Sequence, residues 1–214
     1  MRTVLIFDYG FSGYLLGNKI EDTLMVAVKR LTAGSEQDLV IKTNCEILQE
    51  AEKLLLPYIG HVNAIVLANP IVSMLAKEYL EKRFPRQIFV GYGWDLPALL
   101  DNTRKALVLT SDKISRSESY PKMKAQGGQT EISESDCQRW LDLIREDVVL
   151  EDSELAPELE QIRGGKVIIY NSRLLMMKKR LAEKLGWKVE VTDFFDLIVD
   201  RLCHALDLDF EIEP

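Results

Sequence analysis

Two pairs of short apolar runs stand at one common separation in this 214-residue chain. A shift of about 102 positions lays Val4–Phe7 on Ala106–Leu109, and the same shift lays Ile65–Leu67 on Val167–Ile169 and Asn69 on Asn171. One short apolar run matches another by chance easily. A shared offset for both pairs, with Asn at the same strand-to-helix corner, points to an internal duplication.

The rest of the chain alternates between strand and helix patterns. Val4–Phe7 reads as a buried strand ending in the turn Asp8-Tyr9-Gly10, and Leu24–Val28 as a second, more polar strand. Thr43-Asn44-Cys45-Glu46 has the form of a capping box ahead of a helix that stops near Pro57. Ala64–Leu67 is a strand, Asn69-Pro70 opens a helix running to Phe84-Pro85, and Ile88–Val90 is a strand. In the second half Ala106–Leu109 is a strand, Ser135 starts a helix through Trp140 and Ile144, and Ser153–Arg163 is a helix stopped by Gly164-Gly165. Val167–Tyr170 (strand), Arg173–Leu185 (helix), Val189–Val191 (strand) and Phe195–Leu206 (helix) complete the series. Such alternation implies parallel βαβ units, so the expected fold class is α/β: two pseudo-symmetric parallel-sheet lobes with a cleft between them. Ligands of open α/β sheets bind outside the carboxyl ends of the strands. The corners at Asp8, Asn69, Thr110-Ser111 and Asn171 are therefore expected to converge on that cleft.

Composition narrows the classes. Hydrophobic residues at 47% and charged residues at 29% make a core-forming, soluble chain rather than a disordered one. With 27 basic against 34 acidic side chains the net charge is −7, which opposes nucleic acid as a partner. Leu54–Ala76 carries no charged residue, but Pro57, Gly60, His61, Asn63, Asn69 and Pro70 argue against a membrane span. No export signal is expected, since Asp8 and Gly10 interrupt the first apolar run. Cys45, Cys137 and Cys203 form no CxxC pair, which speaks against a disulfide framework or a zinc cage and for a reducing cytoplasm. His61 and His204 suggest no metal pair, and no cofactor motif is present.

The ordered segments resemble glutamate racemase and the wider aspartate/glutamate racemase superfamily from about Val4 to Leu206. The family's opening turn, Asp-Ser-Gly-x-Gly-Gly, is similar to Asp8-Tyr9-Gly10-Phe11-Ser12-Gly13. Its first catalytic corner, Ile-Val-Ile-Ala-Cys-Asn-Thr-Ala-Ser, falls on Ile65-Val66-Leu67-Ala68-Asn69-Pro70-Ile71-Val72-Ser73. Phe84-Pro85, Pro97-Ala98, and Thr110-Ser111 followed by Arg116-Ser117-Glu118-Ser119-Tyr120 mirror later motifs. The second catalytic corner, Leu-Gly-Cys-Thr-His-Tyr-Pro-Leu-Leu, falls on Ile169-Tyr170-Asn171-Ser172-Arg173-Leu174-Leu175-Met176-Met177.

The departures fall where the resemblance implies chemistry. Family members use two cysteines, one on each side of the substrate α-carbon, as proton acceptor and donor. Both positions are Asn here, and a carboxamide can hold a ligand but carries no transferable proton near neutral pH. Arg173 stands where the family has His, Tyr9 where it has Ser, and Pro70-Ile71 where it has a substrate-binding Asn-Thr pair. The resemblance thus implies a racemase-like protein without two-cysteine catalysis, with a site for a small carboxylate or amino acid. Its ligand set is Asp8, Tyr9, Ser12, Asn69, Ser73, Ser111, Asn171, Ser172 and Arg173.

The same residues have plainer readings. Asp8 either serves a ligand or accepts turn N–H groups from the segment starting at Ser12, and Asn69 and Asn171 either grip a ligand or cap their helices. Tyr9 either covers the cleft or packs; Ser111, Ser115 and Ser117 either bind an anion or close their own turn. Ser172 and Arg173 at a helix start suit an anion. Cys45, Cys137 and Cys203 read as small apolar residues away from strand ends, and Lys178-Lys179-Arg180 as a solvated helix face. The resemblance puts residues 1–93 with 188–214 in the first lobe and 94–187 in the second. Two rival functions stay open: an isomerase or lyase without catalytic cysteines, and a regulatory or interaction protein, possible as a homodimer.

Overall fold

The computed structural model describes residues 1–92, 99–100, 103–110, 130–146 and 165–208. Its first compact unit is Met1–Gly93 with Phe195–Pro214 and its second is Trp94–Phe194. In the first unit β1 (Thr3–Tyr9), α1 (Ser12–Leu24), β2 (Ala27–Gly34), α2 (Glu36–Ile41), α3 (Asn44–Leu55), β3 (Ala64–Leu67), α4 (Pro70–Arg83) and β4 (Ile88–Gly91) follow in order. The second unit contains β5 (Lys105–Thr110), β6 (Glu131–Asp136), α5 (Gln138–Arg145), β7 (Gly165–Ile169), α6 (Lys178–Leu185) and β8 (Val189–Asp193). Helix α7 (Phe194–Ala205) carries the chain back into the first unit.

Each unit is built on a four-stranded parallel sheet, ordered β2-β1-β3-β4 in one and β6-β5-β7-β8 in the other. The duplication extends to the hydrogen-bond register. Val4 lies across from Ala64 in the first sheet as Ala106 lies across from Lys166 in the second, each residue 102 positions on. The same 102 relates Ala64↔Ile88 to Lys166↔Glu190. Only the β2 edge drifts, since Thr3↔Ala27 becomes Lys105↔Glu131, and β1 has an irregularity between Asp8 and Tyr9.

This register moves one expected boundary. The strand Val189–Asp193, assigned from sequence to the first lobe, pairs with β7 just as β4 pairs with β3, and completes the second sheet. Two edge strands also differ from expectation. The segment read as Leu24–Val28 begins instead at Ala27, because α1 continues to Leu24 and ends where Met25 adopts a left-handed φ of 48°. Ser135 lies in β6 rather than opening a helix, and α5 starts at Gln138. The expected helix Ser153–Arg163 and the motif residues Pro97-Ala98 and Arg116–Tyr120 lie outside the described residues.

The cores follow the same correspondence. In the first unit Leu5, Phe7, Ile65 and Leu67 are fully buried against Ile47, Ala51 and Leu55 of α3 and Val72, Ala76 and Leu80 of α4. In the second unit their equivalents Leu107, Leu109, Val167 and Ile169 pack on Trp140, Leu141, Leu174 and Leu181. Burial of each such side chain contributes about 1.5–3 kcal/mol, far more than the surface ion pairs at about 0–1 kcal/mol. The capping box forms as read: Thr43 Oγ1 accepts from the Glu46 N–H at 3.3 Å, while the Glu46 carboxylate accepts from the Thr43 N–H at 2.7 Å. Lys19 of α1 pairs with Asp196 of α7, and Tyr92 sits edge-on to Phe195, so α7 is tied into the first unit.

Gly165 opens β7 at φ 120°, and a Cβ there would lie 2.4 Å from the Lys105 carbonyl oxygen. Gly165→Ala is expected to lower the unfolding free energy by about 2 kcal/mol or more, through a backbone conformation that L-residues avoid plus the clash. Urea unfolding followed by circular dichroism checks it.

Candidate functional site

Successive side chains of a strand point to opposite faces, so Asp8 and Tyr9 cannot serve one site from the end of β1. Asp8 is 2% exposed. The Ser12 hydroxyl donates to both of its oxygens at 3.0 Å, and the Gly13 N–H donates to Oδ2 at 2.6 Å. Burial pushes the Asp8 carboxyl above its ordinary range; donors from Gly13, Ser12 and the Tyr9 backbone offset this only in part. The N-terminal position of α1 is occupied by Phe11, which has no capping side chain, so Asp8 takes that role from the preceding strand. Gly13 permits the approach, because a Cβ there would lie 2.7 Å from the Asp8 Cβ.

Tyr9 turns to the opposite face. Its ring is fully buried, edge-on to Phe7 at 5.8 Å between centroids, with the Lys42 ammonium 5.2 Å from its centre. Its hydroxyl donates to Glu50, which also pairs with Lys42 at 2.5 Å. Burial and the Glu50 carboxylate raise the phenol well above its ordinary value. Burial alone would raise Glu50 too, but the Lys42 and Tyr9 donors outweigh it and hold it low. Tyr9 therefore joins the α3 core, and its expected place in the ligand set is corrected to packing.

At the end of β3, Asn69 is 3% exposed. Its Oδ1 accepts from the N–H groups of Ile71 at 3.0 Å and Val72 at 3.2 Å, and its Nδ2 donates to the Tyr9 carbonyl at 3.4 Å. This is an N-cap for α4, with Pro70 in the first turn. Ser73, fully buried, donates to the Tyr92 carbonyl at 2.8 Å. The structure thus brings Asp8, Ser12, Asn69 and Ser73 to the carboxyl edge of the first sheet, each with its polar atoms engaged within the unit. Asp8 is the one titratable group among them.

In the second unit the corner starts the same way and then diverges. The Tyr170 N–H donates to the Leu109 carbonyl at 2.9 Å, as Ala68 donates to Phe7 at 2.9 Å 102 residues earlier. Asn171 follows, half-buried, its carbonyl accepting from Leu174 at 3.0 Å. Where the sequence reading starts an α-helix, Ser172–Met177 is a 3-10 segment and the α-helix begins at Lys178. The expected helix start at Arg173 is corrected accordingly to Lys178, and the α-helical N-terminus stands six residues beyond Ser172. The side chains of Ser172 and Arg173 lie outside the described residues, as do Ser111, Ser115 and Ser117.

One pair went unnoticed in the sequence. Asp193, 3% exposed at the end of β8, binds the Lys178 ammonium at 2.7 Å. Lys178 is therefore not part of a purely solvated face. A carboxylate closing an apolar strand just before a helix, as in Asp8, is the signal that marks Asp193.

Cys137 directly follows β6, contrary to expectation, yet it is 1% exposed and packs with Leu107 and Trp140. Cys203 is buried in α7 with its thiol on the Leu208 carbonyl at 3.1 Å, and Cys45 is exposed on α3. Among the described residues no group of three His, Cys, Asp or Glu side chains is placed to hold a metal ion, and no helix is long and apolar enough to cross a membrane.

No family model matches this sequence, and no curated protein sequence matches it. Solved structures do. The glutamate racemase of Francisella tularensis, in complex with D-glutamate, superposes with a TM-score of 0.77 at 18% identity, over 96% of this chain and 81% of that one. The Campylobacter jejuni glutamate racemase gives 0.75 at 18% identity, over 99% and 88%. The Picrophilus torridus aspartate racemase gives 0.68 at 12% identity, over 97% and 95%. The chain has the fold of the Asp/Glu racemases, two parallel four-stranded α/β units.

Two predictions follow the geometry of β1 and β3. Asn69→Ala should cost about 1–2 kcal/mol by removing the cap of α4 and the Tyr9 carbonyl's donor, whereas Asn69→Asp should retain most of the cap. Thermal unfolding of both variants distinguishes them. For Asp8, the folded state holds its proton above the unfolded value of about 3.9, so its contribution is full below that value and is lost as pH rises through the raised one. The unfolding free energy of the wild type minus that of Asp8→Asn should therefore fall as pH rises above about 4 in urea titrations.

Proposed function

We propose that this chain is a glutamate racemase-like protein that binds a small carboxylate or amino acid and does not carry out two-cysteine racemisation. The observation that carries this reading is the state of Asn69: a buried carboxamide at the end of β3 whose oxygen caps α4 and whose nitrogen holds the Tyr9 carbonyl. Where the resemblance expects a thiolate that can take an α-proton, this residue has neither an accessible charge nor a proton of suitable pKa to exchange. Asn171 follows the second sheet's equivalent strand at the same offset. Cys137 and Cys203 are enclosed by core side chains or backbone, which leaves them unsuited to replace a catalytic pair.

Ligand recognition in this reading uses the carboxyl ends of the strands, where Asp8, Ser12, Asn69 and Ser73 lie in the first unit and Asn171 in the second. The D-glutamate in the Francisella relative gives the class of molecule to try first. No nucleic acid is a partner in this reading, and self-association as a homodimer belongs to it as a proposal.

A second reading keeps catalysis, as an isomerase or lyase that uses Asp8. Its support is the burial of that carboxyl, which raises its pKa above the ordinary carboxylate value. Against it stand the two donors, the Ser12 hydroxyl and the Gly13 N–H, that already engage the carboxylate.

Proton exchange separates the two. Incubated with D- or L-glutamate and with aspartate in heavy water, the protein should leave the α-proton signal intact by NMR. Calorimetry should register binding of at least one of these amino acids or of a related small carboxylate. Robust α-deuteration lost in Asp8→Asn would establish the second reading, and exchange lost in Asn69→Ala would refute the first.

A further inference from the structure

At the opposite, amino-terminal edge of the first sheet lies a cavity of about 420 Å³ that none of the strand-end chemistry uses. Its wall is formed where α4 ends and β4 begins, by Arg83, Phe84, Pro85, Arg86 and Gln87, and by Ile59 after the 3-10 turn Leu56–Tyr58. The volume is that of a small-molecule site. The floor is apolar, and no acidic side chain lines it.

Two arginines flank that floor in different states. Arg83 is held in place: its Nε donates to Glu52 at 3.2 Å, and its guanidinium lies 5.7 Å from the centre of the Phe84 ring. Arg86 is exposed and has no hydrogen bond or ion pair among the described residues. Gln87 is 8% exposed, and its amide bridges the Gly60 N–H at 3.0 Å and the Val62 carbonyl at 3.3 Å, which fixes the cavity's back wall. On a chain of net charge −7, an uncompensated guanidinium beside an apolar hollow is a local exception.

The carboxyl end of α4 opposes an anion by about half a charge. The Arg86 guanidinium, which has no ion pair among the described residues, outweighs it, while Arg83 shares its charge with Glu52. Two of the carbonyls there are also engaged, since the Phe84 N–H donates to Leu80 at 2.8 Å and the Gln87 N–H to Phe84 at 3.0 Å.

From this arrangement we propose that the cavity binds a compact organic anion with an apolar body, such as an aryl phosphate or aryl carboxylate. The ring would lie on Phe84, Pro85 and Ile59 and the charged group on Arg86 with Arg83. The ordered guanidinium of Arg83 lowers the entropic cost of such a contact, and the planar fork of either arginine suits a phosphate or carboxylate. This site stands apart from the strand-end reading and does not depend on it.

The test is a titration of the full-length, isotope-labelled protein with phenyl phosphate, benzoate, inorganic phosphate and the neutral benzyl alcohol, followed by amide NMR. Phenyl phosphate should bind saturably, shift the amides of Gly60, Phe84 and Gln87, and exceed benzyl alcohol and inorganic phosphate in affinity by about tenfold or more. Arg86→Ala breaks no hydrogen bond or ion pair among the described residues, and should weaken phenyl phosphate by about tenfold while leaving benzyl alcohol unchanged. Arg83→Ala, which loses a surface pair worth about 0–1 kcal/mol and the contact with the Phe84 ring, should weaken it as well. Equal binding of the alcohol, equal binding of inorganic phosphate, undiminished affinity in Arg86→Ala, or shifts confined to the Asp8 and Asn69 segments would each overturn the proposal.

Discussion

The rest of the structure depends on one backbone constraint: the register in which β1 pairs with β3, and β5 with β7. A slip by one residue would turn every buried side chain of these strands outward, so Leu5, Phe7, Ile65 and Leu67 lock the first ladder and their equivalents lock the second. The ladder then runs one step past the strands, through Ala68 to Phe7 and Tyr170 to Leu109. That extra bond fixes the residue that follows, and in both units it is Asn. The corner's position is thus a consequence of apolar packing several residues away, which is why it persists whatever chemistry the corner performs.

The same logic explains which parts of the fold were legible in the sequence. Central strands β1, β3, β5 and β7 are buried on both faces and read as continuous apolar runs. The strands that were misplaced or missed, β2 and β6, lie at the sheet edges, and the run Glu131-Ile132-Ser133-Glu134-Ser135-Asp136 carries more polar than apolar residues. An edge strand pairs on one side only and tolerates charge, so hydropathy reports it only where it stays apolar, as in Ile88–Val90 of β4. The assignment of Val189–Asp193 to the wrong unit has a related cause. A strand's sequence encodes that it pairs, while its partner is set by the register, and that became visible only as the equivalence of Glu190 with Ile88.

The candidate site was legible in position and less so in role. Strand-end logic located Asp8, Ser12, Asn69 and Ser73, because chain direction alone puts them at the carboxyl edge. It could not separate Asp8 from Tyr9, which needed the alternation of a strand extending two residues further than its apolar run. Nor could it find Lys178 with Asp193, a pair made by residues 15 apart that meet only once α6 has packed on β8. The roles were decided by hydrogen-bond completeness. Buried polar groups must find partners or cost about 1–3 kcal/mol each, and here the partners of Asp8, Asn69 and Ser73 are the unit's own hydroxyl, N–H and carbonyl groups.

Within the proposed function, that completeness has a direction. A thiol at position 69 would be a weak acceptor, leaving the first N–H groups of α4 without a good cap, and a reactive residue in such a place is held at the expense of local stability. Asn reverses the balance: its oxygen serves Ile71 and Val72 and its nitrogen serves Tyr9, a gain of about 1 kcal/mol for the cap alone. At position 171 the helix start is a 3-10 segment instead, so the matching Asn does not stand at the head of an α-helix. The two carboxamides are equivalent in register yet differ in local duty: one stabilises its unit, while the other stands half-buried beside a tighter turn. If either corner keeps a role in binding, the second is the better placed, because its backbone bears less of the burden of starting a long helix.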